Sequence, residues 1–124
     1  MVKALVVDDS KAVRMILTRI LRELGYDVRE AGNGWQALEV IQSEPTPPRL
    51  MLADWNMPEM NGLELVKRLR LKPELDPMVI VMVTTETEVD QVSAALEAGA
   101  NEYVMKPFTK EILLEKLQLT GAHA

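Results

Sequence analysis

The sequence predicts an α/β domain in which five short strands, each followed by a helix, form one parallel sheet covered by helices on both faces. Three observations carry this. Short, wholly apolar runs alternate with segments whose apolar residues recur at helical spacing. Capping residues stand between the two kinds of segment. The length, 124 residues with 48% hydrophobic and 27% charged, is close to the commonest size of one domain and supplies apolar material for one core.

Ala4-Leu5-Val6-Val7 reads as the first strand, and apolar residues at 13, 16, 17, 20, 21 and 24 follow at helical spacing. Ser10 stands as the N-cap of that helix and Gly25 closes it. Tyr26 to Glu30 is a weaker strand with the character of a sheet edge. Trp35 to Ser43 forms the second helix, with Ala37, Leu38 and Ile41 on its apolar side. Pro45-Thr46-Pro47-Pro48 breaks the chain before the third strand, Leu50 to Ala53. Asn61 followed by Glu64 resembles a capping box and opens a helix carrying Leu63, Val66 and Leu69. Met78 to Val83 is the most apolar run and is expected to be a central strand buried on both faces. A fourth helix is expected from about Glu88 to Ala98, stopped by Gly99. Tyr103 to Met105 is the fifth strand, and Thr109 caps a last helix ending near Leu119. The domain is thus expected over 1–119, with 120–124 as a short tail.

Composition narrows the function. The formal net charge is −5 and no basic run is present, which argues against direct binding of nucleic acid or an anionic membrane surface. With no cysteine there are no disulfides and no thiolate metal sites. The apolar stretch after Lys3 ends at two aspartates, too soon for a signal peptide, and no run is long enough to span a membrane. A cytoplasmic location is the expectation.

Parallel α/β sheets bind ligands beyond the carboxyl ends of their strands. The first strand ends in Asp8-Asp9, the third in Asp54, the fourth in Thr84-Thr85 and the fifth in Lys106-Pro107. Each has an ordinary reading taken singly. Asp8 and Asp9 would cap the next helix, Asp54 would open a turn, Thr84 would reflect β-propensity and Lys106 would be a solvated charge. Capping gives no reason for a lysine to share the rim with three acids. Close carboxylates repel, and one would take up a proton unless a hard cation such as Mg²⁺ lay between them. With that charge balanced, one carboxylate stays ionised and serves as a nucleophile towards phosphorus, as in enzymes that form aspartyl phosphates. Lys106 and the Thr84 hydroxyl would then meet the equatorial oxygens of the phosphoryl group.

Together Val6-Val7-Asp8-Asp9-Ser10, Asp54-Trp55-Asn56-Met57-Pro58 with Asn61-Gly62, Thr84-Thr85 and Lys106-Pro107-Phe108 resemble a response-regulator receiver domain of two-component systems. The resemblance spans residues 3–117 and is nearest to the single-domain CheY-like chemotaxis type. It implies a flavodoxin-like sheet of order 2-1-3-4-5. Asp54 would accept a phosphoryl group from the phosphohistidine of a sensor kinase. Mg²⁺ would be bound directly by Asp9, Asp54 and the backbone carbonyl of Asn56, and by Asp8 through water. Lys106 would contact the phosphoryl group and Thr84 would move towards it, with Tyr103 as the aromatic switch. Asn56 and Glu86 would set the phosphoryl lifetime. The Lys106-Pro107 bond is expected to be cis.

The resemblance further implies a monomer, not a turnover enzyme, that acts on a downstream protein through the surface of the fourth helix, fifth strand and fifth helix. A phosphorelay intermediate, a receiver piece of a larger regulator and a receiver that only binds partners are the alternatives. Thr87-Glu88 lacks the basic character expected of a flagellar-switch binder. Trp35, Trp55 and most methionines read as packing residues. His123 reads as an incidental tail residue.

Overall fold

A computed structural model of the chain describes residues 2–85 and 91–121. Its five strands, β1 (Lys3–Val7), β2 (Asp27–Ala31), β3 (Leu50–Asp54), β4 (Val79–Thr84) and β5 (Glu102–Met105), form one sheet of order β2-β1-β3-β4-β5. All neighbours are parallel. The helices are α1 (Lys11–Glu23), α2 (Gly34–Ser43), α3 (Gly62–Arg70), α4 (Val92–Ala98) and α5 (Lys110–Thr120), and a 3₁₀ turn runs over Pro73–Leu75. The expected α/β class and strand order are those observed. No helix among the described residues is long and apolar enough to cross a membrane.

The central strands β1, β3 and β4 are apolar along most of their length because they are buried on both sides, whereas the edge strand β2 carries Asp27, Arg29 and Glu30. The two-residue period sorts the buried residues into two cores. Leu5, Val7, Met51, Ala53, Ile80 and Met82 face one core with Ala37, Leu65, Val66, Leu69 and Ala95 from α2, α3 and α4. Ala4, Val6, Leu50, Leu52, Val81, Val83 and Val104 face the other with Leu17, Leu21, Leu113 and Leu117 from α1 and α5.

Local chemistry sets the helix ends. The Ser10 hydroxyl accepts from the Val13 amide at 3.3 Å, Asn33 from Gln36 at 2.9 Å, Asn61 from Glu64 at 2.9 Å and Thr109 from Ile112 at 3.1 Å. Gly25, at φ 97°, closes α1 in a Schellman motif, with Gly25 N–H on the Arg22 carbonyl and Tyr26 N–H on the Leu21 carbonyl, both at 3.0 Å.

Some expectations need correction. Asn61 and Glu64 make half of a capping box, because the Glu64 carboxylate accepts from Arg68 one turn along α3. Ile16, placed by spacing on the apolar face of α1, is 56% exposed. That stripe narrows to Leu17 and Leu21, flanked by half-buried Val13, Ile20 and Leu24. Met15 and Met105 are exposed rather than core, whereas Met51, Met57, Met60, Met78 and Met82 are buried. Trp35 is 45% exposed, with the Arg68 guanidinium 4.9 Å from its ring centre, so it shields α3 more than it fills a core. The last helix runs one residue beyond its expected end, with the Thr120 hydroxyl donating to the Leu117 carbonyl at 2.7 Å. Glu86, Thr87 and Glu88, with the expected start of the fourth helix, and His123 lie outside the described residues.

Candidate functional site

The sheet brings the predicted strand ends to one rim. Asp54 is the last residue of β3 and pairs with Val83 of β4, one place before Thr84. Thr84 closes β4 opposite Met105, so Lys106 emerges beside it. The Lys106 amide donates to the Thr84 carbonyl at 2.6 Å, tying the two strand ends together. The Lys106-Pro107 bond is cis, as expected. Its ammonium reaches back across the rim to Asp54 Oδ1 at 3.4 Å and Asp8 Oδ2 at 3.5 Å.

Asp8, Asp9 and Asp54 each offer a carboxylate oxygen, and these lie within 4.8 Å of one another. Their surroundings differ. Asp8 is 1% exposed and its Oδ1 accepts from the Ser10 amide at 2.8 Å, whereas Asp9 is exposed. Asp54 is buried, and its carboxyl is pushed up to about 6. Burial is the largest cause and the Asp8 charge adds to it, against the Lys106 ammonium and the Asn56 backbone amide. One lysine does not balance three acids.

That imbalance is the test of fit for Mg²⁺. Three clustered carboxylates, all hard oxygen donors, form a set that a small divalent cation satisfies, and the exposure of Asp9 leaves room for the water such a cation retains. Asn56 is exposed beside them and Asp54 interacts with its amide.

Thr84 and Tyr103 are covered to different degrees. Thr84 is fully buried, and its hydroxyl has no hydrogen-bond partner among the described residues. Tyr103, on β5, is half-buried against the core that contains Met82 and Ala95. The Lys116 ammonium lies 4.8 Å from its ring centre and 3.6 Å from the Glu102 carboxylate.

Several contributors escaped the sequence reading. Gly62 lets α3 start against the end of β3: a Cβ there would lie 2.7 Å from the Asp54 carbonyl oxygen and 2.4 Å from Met82 Cε. Its amide donates to the Trp55 carbonyl at 2.8 Å. Glu59 has φ 68° and the Met60 amide donates to the Pro58 carbonyl at 2.7 Å, a tight turn that lowers the loop after Asp54 onto buried Met57 and Met60. Asn61-Gly62 in the motif hinted at the close approach. The Glu59 turn and the partners of Lys116 had no local signal.

The fold and rim define a doubly wound α/β domain whose strand ends bring together three carboxylates and a lysine. Residues 4–118 match the model of the response regulator receiver domain, and the chain belongs to that family of two-component signalling domains. It is 47% identical over 117 residues to a chemotaxis protein CheY homolog of Campylobacter jejuni, covering 94% of this chain and 89% of that one. It is 46% identical over 118 residues to the chemotaxis protein CheY1 of Helicobacter pylori, covering 94% of each. The structure of the chemotaxis response regulator CheY4 of Vibrio cholerae superimposes with a TM-score of 0.87 at 36% identity, over 97% of this chain and 98% of that one.

Proposed function

We propose that the protein is a phosphorylation-activated switch of the CheY type, in which Asp54 accepts a phosphoryl group from the phosphohistidine of a sensor kinase. The observation that carries the reading is the meeting of Asp54 with Asp8, Asp9 and Lys106 beside an unpartnered Thr84 hydroxyl. Asp9, Asp54 and the Asn56 carbonyl would hold Mg²⁺, with Asp8 acting through water. Mg²⁺ supplies positive charge that keeps Asp54 ionised and offsets the charge of the incoming phosphoryl oxygens.

The residues of the chain do the rest. An Asp54 carboxylate oxygen attacks phosphorus, and the bond to the histidine nitrogen breaks with its electron pair left on the imidazole. Lys106 turns from Asp8 and Asp54 to the phosphoryl oxygens. Thr84 gains the partner it lacks by donating to one of them. Its movement opens space for Tyr103 and alters the face formed by α4, β5 and α5, where a downstream protein binds. Asn56 and Glu86 set how fast water removes the phosphoryl group. The chain acts by contact, as a cytoplasmic monomer, and turns over no external substrate. The identity to chemotaxis proteins supports a chemotaxis-type output.

Trp55 is buried next to Asp54 and reports on the site. In a Trp35→Phe background, Mg²⁺ and a small phosphodonor should change Trp55 fluorescence and add one phosphoryl group to the intact mass, while Asp54→Ala should do neither. Decay within seconds to minutes after donor removal supports the output switch, and persistence for hours supports a relay. An unchanged mass in the wild type would sink the proposal.

A further inference from the structure

We infer that Arg14 is a positioning residue for the cation site: it fixes the peptide plane between Asp8 and Asp9, and through it the direction in which the Asp9 side chain leaves the backbone. The inference deepens the Mg²⁺ reading above and rests on it.

Arg14 lies in the first turn of α1 and is largely covered for a charged side chain. Its Nη1 donates to the Asp8 carbonyl at 2.7 Å, and its Nε reaches Glu30 Oε1, on the edge strand β2, at 3.3 Å. The guanidinium is planar, so holding two of its nitrogens fixes the third direction. The Asp8 carbonyl belongs to the peptide unit that ends at the Asp9 Cα. Because that unit is planar, orienting the carbonyl orients the Asp9 backbone.

The rest of Asp8 is also tethered. Its amide donates to the Ala31 carbonyl at 3.1 Å, Oδ1 accepts from Ser10, and Oδ2 faces Lys106. Asp9 is exposed, and no hydrogen bond or ion pair of its side chain is described. Of the three acids it therefore depends most on its backbone for placement. Arg14 supplies the one side-chain contact described on that peptide.

The sign of the effect separates this role from simple electrostatics. Arg14 is a cation near a cation site, so Coulomb repulsion alone predicts tighter Mg²⁺ binding when it is removed. Positioning predicts the reverse. Loss of a residue that orients a metal ligand commonly weakens binding about 10–100-fold.

The experiment is Mg²⁺ titration of the full chain by Trp55 fluorescence, in a Trp35→Phe background, for wild type, Arg14→Ala, Arg14→Lys and Glu30→Gln. Urea unfolding in chelator checks the fold of each. Arg14→Ala should raise the Mg²⁺ Kd about tenfold or more. Arg14→Lys, which keeps the charge and loses the fork, should also bind more weakly, and Glu30→Gln should lie between Arg14→Lys and wild type. Should Arg14→Ala fail to unfold cooperatively, Arg14→Lys decides. A Kd equal to or lower than that of wild type, in a folded Arg14 variant, overturns the inference. A wild type that itself shows no Mg²⁺ response overturns the cation-site reading instead.

Discussion

Neutralising Asp54 should stabilise the metal-free protein at neutral pH. The perturbation is Asp54→Asn, which keeps the shape of the side chain and removes its charge. In the folded chain the Asp54 carboxyl titrates at about 6 rather than 3.8, because burial and the Asp8 charge outweigh Lys106. The folded state therefore holds this proton more tightly than the unfolded state does. Its contribution to stability is fully present below pH 3.8 and is lost as pH rises through about 6. At about 1.36 kcal/mol per pH unit, carrying the ionised carboxylate at pH 7 costs the folded state about 3 kcal/mol. Asp54 is only 6% exposed, so water does little to screen that cost.

The assay is urea unfolding in chelator at pH 4 and pH 7. At pH 7 Asp54→Asn should raise the midpoint by about 1–3 M, taking a slope of about 1–3 kcal/mol per molar urea. At pH 4 the two proteins should nearly coincide, since the wild-type carboxyl is protonated when folded. Mg²⁺ at about 100 times its Kd should add about 2.7 kcal/mol to the wild type and much less to the variant. A variant less stable than wild type at pH 7, or a gap independent of pH, would refute the electrostatic reasoning. It would mean that Lys106 already neutralises the site.

Three further outcomes are expected. Arg70 donates to the carbonyls of Gly99, Leu75, Asp76 and Met78 and to the Asn101 side chain, at 2.7–3.4 Å, joining α3 and the end of α4 to the start of β4. Arg70→Met should lower unfolding free energy by about 2–4 kcal/mol, and a loss below about 0.5 kcal/mol would show that water replaces these bonds. Gly62→Ala pushes a methyl group towards the Asp54 carbonyl and Met82, and should cost about 1–3 kcal/mol and slow phosphorylation of Asp54; wild-type stability and rate together would show that the β3–α3 junction yields. Lys116→Met removes the ammonium over the Tyr103 ring, and should cost about 0.5–1 kcal/mol and shift the Tyr103 ring signals in NMR spectra. Unmoved Tyr103 signals would make that contact incidental.

What was legible in the sequence follows from the range of the interactions involved. Strands and helices could be read because burial on both faces writes apolar runs and helical spacing directly into the chain. Asp8, Asp9, Asp54, Thr84 and Lys106 could be placed on one rim because parallel topology sends every carboxyl end to the same side. Ile16 misled because spacing gives the angle of a side chain around a helix and not how much of that angle the sheet covers. Glu64 misled because a carboxylate in the first turn of α3 had two neighbours to choose from, and Arg68 offered a charge. The tethers of Arg14, Arg70 and Lys116 join distant segments through arginine and lysine, residue types whose ordinary place is a solvated face. No local pattern distinguishes the arginine that reaches a carbonyl from one that reaches water.

On the proposed mechanism, the Thr84 hydroxyl, unpartnered among the described residues, bounds how the switch would work. A buried hydroxyl without a partner costs about 1–3 kcal/mol, which is the most its capture by a phosphoryl oxygen would return. Driving an equilibrium from 1:99 to 99:1 needs about 5.5 kcal/mol. Thr84 therefore supplies about half at best. Lys106 adds only a difference, since its ammonium already faces Asp8 and Asp54 before any phosphoryl group arrives. On the proposed mechanism, a switch built from these parts would be thrown only partway by phosphorylation, and the binding of the partner would complete it. The Thr84 hydroxyl should accordingly set the degree of activation: on the proposed mechanism, Thr84→Val weakens the coupling between phosphorylation and partner binding without abolishing it.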